Sequence, residues 1–402
     1  MLKLRKWQSE FIAWYSKNCD QRPSVYLHGD LGTGKTIGAL ALLAKLDLKP
    51  DNFFILAPLS AHPSWQNDAK HFNIEIKPNK NLFTYEKFVR LTKIPVVKFI
   101  VCDEAHRLKN VEAKITKRLW KYYRDIPKLL MSGTMADREY ELFSQFRLID
   151  KKLFGDLSWT KFKRKYFFVD SYGRPTALLS KEARNEIIET IQPYIYRVSL
   201  DDVEMPELAC LYTKLPPSKK IIEKWRDFES EIENPIASFT REYAIAQGID
   251  PETGELFDKT KIDWVLDFLQ DNPKTIVFSY FRAPVLEIKK RLGDKFFYVL
   301  GDYKNDVESI LTAGNRPVIA TYAIAEGINL QHNYNTLLYM SLPLAYRSYY
   351  QSRGRVYRSG QKYKVVAQHI LMQPIDYEVK RIIDKKEELA EYLRHRPVAG
   401  YK

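Results

Sequence analysis

Short runs of uninterrupted apolar residues recur along the chain in two groups. The first comprises SVYLH (24–28), NFFILA (52–57), KFIVCD (98–103) and KLLMSGT (128–134). The second comprises TIVFSY (275–280), PVIATY (317–322), TLLYMSL (336–342) and VVAQHILM (365–372). These runs lack the strict polar–apolar alternation of a strand with one wet face. Continuous apolar strands belong to parallel sheets covered on both faces, and helical patterns such as TIGALALLAKL (36–46) lie between them. The expected fold class is α/β, with two lobes of parallel sheet flanked by helices.

Residues 155–265, between the two groups, carry no strong strand signal. SKEARNEIIETI (180–191) and PPSKKIIEKWRDFESEIE (216–233) are charged and helix-compatible, and turn-rich GIDPETGELFD (248–258) reads as a flexible connection. The boundaries expected are a first lobe over 1–200, a mostly helical insert and connector over 201–262, and a second lobe over 263–402. DYEVKRIIDKKEELAEYLRH (376–395) has a helical period and reads as a surface helix with a solvated charged face.

Composition narrows the class. At 402 residues there is room for two or three domains, and 45% hydrophobic with 28% charged residues describes a globular chain rather than a disordered one. The excess of 64 Lys and Arg over 50 Asp and Glu, a net charge of +14, favours a polyanionic partner. Cys19, Cys102 and Cys210 form neither a disulfide framework nor a zinc pattern. No apolar run approaches the roughly 18 residues of a membrane span, and the N-terminus has no signal-peptide core. An intracellular, cytoplasmic protein with no membrane partner is expected.

The chemistry is concentrated at the ends of the first group of strands. GDLGTGKT (29–36) matches the phosphate-binding loop pattern through Gly29, Gly34, Lys35 and Thr36, with Gly32 and Thr33 inside it. It follows a predicted strand and opens a predicted helix, the context that the motif requires. Backbone N–H groups at a helix start cradle phosphate oxygens, Lys35 reaches the terminal phosphates of ATP, and Thr36 ligates Mg2+. FIVCDEAH (99–106) ends an apolar strand in two adjacent carboxylates. Asp103 is placed to hold the metal shell and Glu104 to orient the attacking water.

Together with LLMSGTMADREYELFSQFRLI (129–149), the DEAH segment DEAHRLKN (103–110) and the phosphate loop resemble the first lobe of superfamily-two helicases, and more narrowly that of the SWI/SNF-like ATPases. LRKWQSEFIAW (4–14), LAPLSAHPSWQND (56–68), TYEKF (84–88), VFSYF (277–281), VIATYAIAEGINLQ (318–331), QSRGRVYRSGQK (351–362) and AQHILMQPIDYEV (367–379) follow in family order. The resemblance implies two RecA-like lobes with an ATP cleft between them. It implies that Gln8 reads the adenine edge, that Gly327 and Gln351 belong to the nucleotide site, and that Arg355 and Arg358 meet the terminal phosphate. Their spacing of three puts these arginines on one face of a helix. His106, Ser132 and Thr134 are implied to couple nucleotide to DNA, and Ser60, Thr84 and Thr321 to touch the DNA backbone without reading sequence.

The implied function is an ATP-dependent DNA translocase or helicase acting as a monomer on duplex, forked or branched DNA. Branch migration or fork remodelling in replication, recombination or repair ranks first. The chain's economy fits a viral or phage member working in host cytoplasm. An RNA-directed helicase and a duplex translocase without strand separation remain open. A catalytically dead scaffold would have lost Lys35, Asp103, Glu104 or the arginines, and all are present. Strand separation needs a pin, which no motif marks; the 155–265 insert is where one is expected.

Overall fold

Each of the eight apolar runs forms a strand whose side chains are buried on both faces, six completely and two with a single half-exposed residue. The computed structural model describes residues 2–155, 157–203, 205–229, 235–300, 310, 316–322, 330–358 and 360–395. The chain divides into two units. One runs to Val203 and takes in the chain's end from Glu388, and the other is Glu204–Glu387.

The strands in chain order are β1 Val25–Gly29, β2 Phe53–Leu56, β3 Leu82–Phe83, β4 Phe99–Asp103, β5 Lys128–Ser132, β6 Phe167–Val169, β7 Pro175–Leu178 and β8 Ile195–Val198, then β9 Leu208–Lys214, β10 Thr275–Ser279, β11 Phe297–Val299, β12 Val318–Thr321, β13 Thr336–Tyr339 and β14 Val365–Leu371. The first unit holds a six-stranded sheet ordered β3-β2-β4-β5-β1-β8, with every pairing parallel. The second holds β11-β12-β10-β13-β14-β9, again all parallel. Successive side chains of a strand point to opposite faces. Accordingly Tyr26, Phe54, Ile100, Cys102 and Leu130 enter one core of the first unit, while Leu27, Phe53, Ile55, Val101 and Leu129 enter the other.

The middle of the chain differs from the expectation. Four strands lie within 155–265, and β9 begins inside the stretch expected to be a helical insert and connector. β8 and β9 are the outermost strands of their sheets, and β6 and β7 form a separate antiparallel hairpin. The side chains of these four strands are only partly buried, so they lack the continuous apolar signature by which buried strands are found. The helices Lys219–Glu229, Pro235–Ala246 and Thr260–Asp271 do fill the remainder. GIDPETGELFD is not a loose connection but a loop that closes on itself. Asp250 N donates to Glu255 O at 2.8 Å, Phe257 N to Gly248 O at 2.9 Å, and Lys224 pairs with Asp250 at 2.7 Å. Gly248 is required there, since its φ is +73° and a Cβ would meet Asp258 O at 2.4 Å.

In the second unit a buried polar knot ties three elements together. Lys261 Nζ donates to Asp376 Oδ1 at 3.1 Å, Asp376 Oδ2 at 3.0 Å and Gln247 Oε1 at 2.8 Å. Asp376 also accepts from Gln247 Nε2 and from the Met372 and Gln373 N–H groups, so it caps its own helix, Pro374–His395. Burial pulls the Lys261 ammonium below its ordinary pKa, and only Asp376 opposes that. Removing one member of such a pair strands a buried charge, which costs far more than replacing both. Lys261→Met is therefore expected to lower the unfolding free energy of the second unit by about 3–5 kcal/mol. Lys261→Met with Asp376→Asn, which removes the stranded charge but keeps a side-chain acceptor at residue 376, should lose less, and urea titration of both variants measures the difference.

Candidate active site

The phosphate loop follows β1 directly. Gly32 and Gly34 take φ of +80° and +93°, values that side-chain-bearing residues rarely adopt, and Gly34 caps the helix Lys35–Lys45. A Cβ on Gly34 would stand 3.0 Å from Gln8 Nε2. Thr33 Oγ1 donates to Asp30 O at 2.7 Å, holding the loop closed on itself. Lys35 is 8% exposed, and its Nζ donates to Gly29 O at 2.7 Å and Asp30 O at 2.9 Å. Thr36 sits in the first turn of the same helix.

Two residues ahead of β1 brace this loop. Gln8 is buried, its Oε1 accepts from Arg5 N at 2.8 Å, and its Nε2 donates to Gly34 O at 3.0 Å. Arg5 Nη1 donates to Thr33 O at 2.7 Å. A primary amide carries two N–H donors and two carbonyl lone pairs. Gln8 thus keeps one donor and one acceptor site for a base edge after making both contacts. The bracing by Arg5 escaped the sequence reading, though the residue lies in the quoted LRKWQ segment.

The carboxylate pair emerges from β4. Asp103 Oδ2 accepts from Trp65 Nε1 at 3.0 Å, Oδ1 accepts from Glu104 N at 3.0 Å, and its backbone carbonyl accepts from Tyr85 Oη at 2.6 Å. Glu104 itself adopts the left-handed conformation, φ 53° and ψ 49°, an arrangement that costs about 1–3 kcal/mol in a non-glycine residue. That turn directs its Oε2 to 3.2 Å from both His106 Nδ1 and Ser132 Oγ. Ser132 Oγ also lies 2.7 Å from Thr134 O, 3.1 Å from His106 Nδ1 and 3.2 Å from Thr134 N. A hydroxyl has one proton, which Ser132 can give either to Glu104 Oε2 or to the Thr134 carbonyl while its oxygen accepts from Thr134 N.

These surroundings separate the two acids. Burial and the neighbouring Glu104 charge raise the Asp103 pKa, against the pull of Trp65 and Lys35. Burial also opposes ionisation of Glu104, but the His106 hydrogen bond and charge, Lys35 and Ser132 outweigh it and bring the pKa down. Lys35 acts on both, so the phosphate loop and the β4 end share one electrostatic neighbourhood. Buried donors at a helix start, an ammonium and a carboxylate whose charge lacks compensation form a donor set that fits a magnesium-bound polyphosphate. Trp65 and Tyr85 went unrecognised as partners of Asp103, because contacts from separate helices to a strand end leave no mark in one sequence.

In the second unit the arginine motif does not lie on a helix. The helix Tyr346–Arg353 ends at its Gly354 cap, and Arg355 and Arg358 follow in turns, with Tyr357 N donating to Arg353 O at 2.9 Å. Glycine is a weak helix former, and here it stops the helix before the spacing of three can apply. Arg355 is buried with Nε donating to Gln351 O at 3.2 Å, and its carbonyl accepts from Leu330 N at 3.0 Å. Gln351 is buried on the helix and Arg358 is half-buried. Thr321 ends β12, half-buried, and Gly327 lies outside the described residues. In the first unit, Ser60 is half-buried in a short turn, and Thr84 caps the helix Tyr85–Arg90 by accepting from Lys87 N at 3.1 Å.

Two known families match the chain in series: the SNF2-related domain over residues 81–248 and the helicase conserved C-terminal domain over 260–360. Among curated relatives, Protein CHROMATIN REMODELING 5 of Arabidopsis thaliana is 27% identical over 264 residues, 55% of this chain and 15% of that protein. The Lymphoid-specific helicase of Homo sapiens is 21% identical over 257 residues, 54% of this chain and 29% of that protein. The chain thus spans less than a third of the length of these relatives. The solved Sulfolobus solfataricus SWI2/SNF2 ATPase core in complex with dsDNA aligns with 98% of this chain and 93% of that one, at 19% identity and a TM-score of 0.46. With the two domains matched in order and each unit built on a parallel sheet flanked by helices, the chain belongs to the SNF2-like ATPases of helicase superfamily two.

Proposed function

We propose that this protein is an ATP-dependent DNA translocase that remodels forked or branched DNA. The observation that carries the reading is the convergence of Lys35, Asp103 and Glu104 in one buried neighbourhood behind the phosphate loop. Bound MgATP would supply the anhydride whose hydrolysis drives movement, with the cation neutralising its phosphates. Thr36 and Asp103 would hold the cation. Lys35 exchanges its carbonyl partners for phosphate oxygens, and Glu104, aimed by Ser132 and His106, orients the attacking water. Gln8 offers its remaining amide sites to the adenine, and the family resemblance adds Gly327 and Gln351 as nucleotide-binding residues. Arg355 and Arg358 bring guanidinium charge to the transferred phosphoryl group.

Ser132 links Glu104 to Thr134, so a change at the carboxylate reaches the segment after β5 through one hydroxyl. That linkage suits His106, Ser132 and Thr134 for coupling. Ser60, Thr84 and Thr321 are hydroxyls suited to phosphodiester contacts that position without reading sequence. DNA is favoured over RNA by the chromatin-remodelling relatives, and the positive charge of the chain suits a polyanion.

Comparing ATPase stimulation by duplex DNA, single-stranded DNA, forks and RNA tests the reading; stimulation by RNA alone would overturn it. Lys35→Ala is expected to lower kcat by about a hundredfold or more while DNA affinity, followed by fluorescence anisotropy, stays close to that of the parent. Arg355→Lys should also cost turnover by about a hundredfold, because an ammonium cannot reproduce bidentate phosphate contacts. The reverse pattern, with lost DNA affinity and intact turnover, would make the arginine cluster a DNA grip instead.

A further inference from the structure

The β6–β7 hairpin takes no part in either sheet and contributes nothing to the site above. It projects an aromatic tip. Tyr172 is 81% exposed and Phe168 57% exposed, and Tyr172 is the most exposed aromatic residue among the described ones. The tip is nonetheless built firmly. Asp170 Oδ1 accepts from Tyr172 N at 2.9 Å and Arg174 N at 2.8 Å, and Asp170 N donates to Arg174 O at 2.9 Å. Gly173 takes φ +74°, and Lys163 Nζ donates to its carbonyl from the preceding helix. Thr176 Oγ1 donates across the strands to Phe168 O at 3.1 Å.

Its foot is anchored in the core. Phe167 is buried and meets Tyr140 edge-on at 5.9 Å, Leu179 N donates to Tyr166 O at 2.9 Å, and Arg184 pairs with Glu139 at 2.6 Å. Glu139 and Tyr140 belong to the segment that begins with Ser132 and Thr134, so the hairpin stands on the stretch that touches Glu104. Around the tip the charge is mostly positive: from Trp159 to Asn185 there are seven basic residues and two acidic ones, and of the basic ones Lys165 pairs with Glu186 and Arg184 with Glu139. The Arg174 guanidinium lies over the Tyr172 ring, 5.4 Å from its centroid.

A protein-docking surface buries an apolar centre from which lysine is depleted. Here the exposed aromatics of the hairpin stand with Arg174 in its turn and with Lys161, Lys163, Arg164 and Lys165 on the helix Trp159–Tyr166 that precedes it. That combination matches a polyanion bearing flat π faces. We propose that the hairpin is a nucleic-acid pin: Tyr172, backed by Arg174, stacks on a base at the junction of single- and double-stranded DNA, while the flanking cations hold the phosphates. This rests on the DNA-translocase reading and supplies the element that strand separation needs.

The test uses the full chain and a DNA fork carrying 2-aminopurine at the first paired position. Tyr172→Ala, at an exposed site, is expected to weaken fork binding about tenfold and to abolish the change in 2-aminopurine fluorescence on binding, with blunt-duplex affinity unchanged. Tyr172→Trp should restore both. Unaltered fork affinity and fluorescence in Tyr172→Ala, with DNA-stimulated hydrolysis intact, would overturn the pin and leave the hairpin as a protein-docking surface. Absence of DNA-stimulated hydrolysis in the unaltered chain would overturn the translocase reading first, and the pin with it.

Discussion

A parallel sheet covered on both faces has no room for chemistry along its strands. Every side chain of β1, β2, β4 and β5 is enclosed by one core or the other, so polar residues can act only where the strands end. Gly29, Asp103 and Ser132 are the last residues of β1, β4 and β5, and these three strands lie side by side in the order β4-β5-β1. The active-site candidates are neighbours because the topology lines up those three ends. Sequence distances of about seventy residues between phosphate loop and carboxylates, and of thirty more to Ser132, are lengths of crossover helix and loop.

The same enclosure sets the electrostatics. Asp103 and Glu104 are adjacent and alike in charge, the first buried and the second half-buried, yet their partners differ. Glu104 faces an imidazole, a hydroxyl and the field of Lys35, whereas Asp103 has an indole N–H and the amide of its own neighbour. Two ionised carboxylates so close are tolerated only when one gains a cation. A divalent ion at Asp103 would reverse the upward push that burial and Glu104 exert. The strained turn at Glu104 belongs to this arrangement: it swings the second carboxylate away from the first and towards Ser132.

Legibility followed the same physics. The buried strands and the phosphate loop were readable because each depends on a local pattern, a continuous apolar run or a fixed spacing of glycines. β8 and β9 were missed because an edge strand needs no such run: IYRV and LACLYTK are short or half wet. Trp65 and Arg5 serve the site through contacts made across the fold, and no spacing rule connects Trp65 to Asp103. The arginine motif shows the opposite failure. Its spacing of three is a helical signal, but the helix ends at Arg353, before either arginine is reached.

That early stop makes the helix end the determinant of where the arginines stand. Tyr349 Oη lies 3.0 Å from His369 Nε2, whose Nδ1 is 3.2 Å from Leu211 O. A carbonyl can only accept, so Nδ1 carries the proton and Nε2 accepts from the tyrosine. The ring stacks between Tyr212 at 5.0 Å and Tyr339 at 4.9 Å, and burial, aided by Lys380 and Arg353, pushes its pKa down to about 4. The imidazole therefore stays neutral throughout the physiological range, and the Tyr349 bond with it. Ser352 adds a second tie through Tyr339 Oη at 3.1 Å. The helix preceding Arg355 is thus pinned to β9, β13 and β14 by uncharged groups, whose hold does not change with pH across the physiological range.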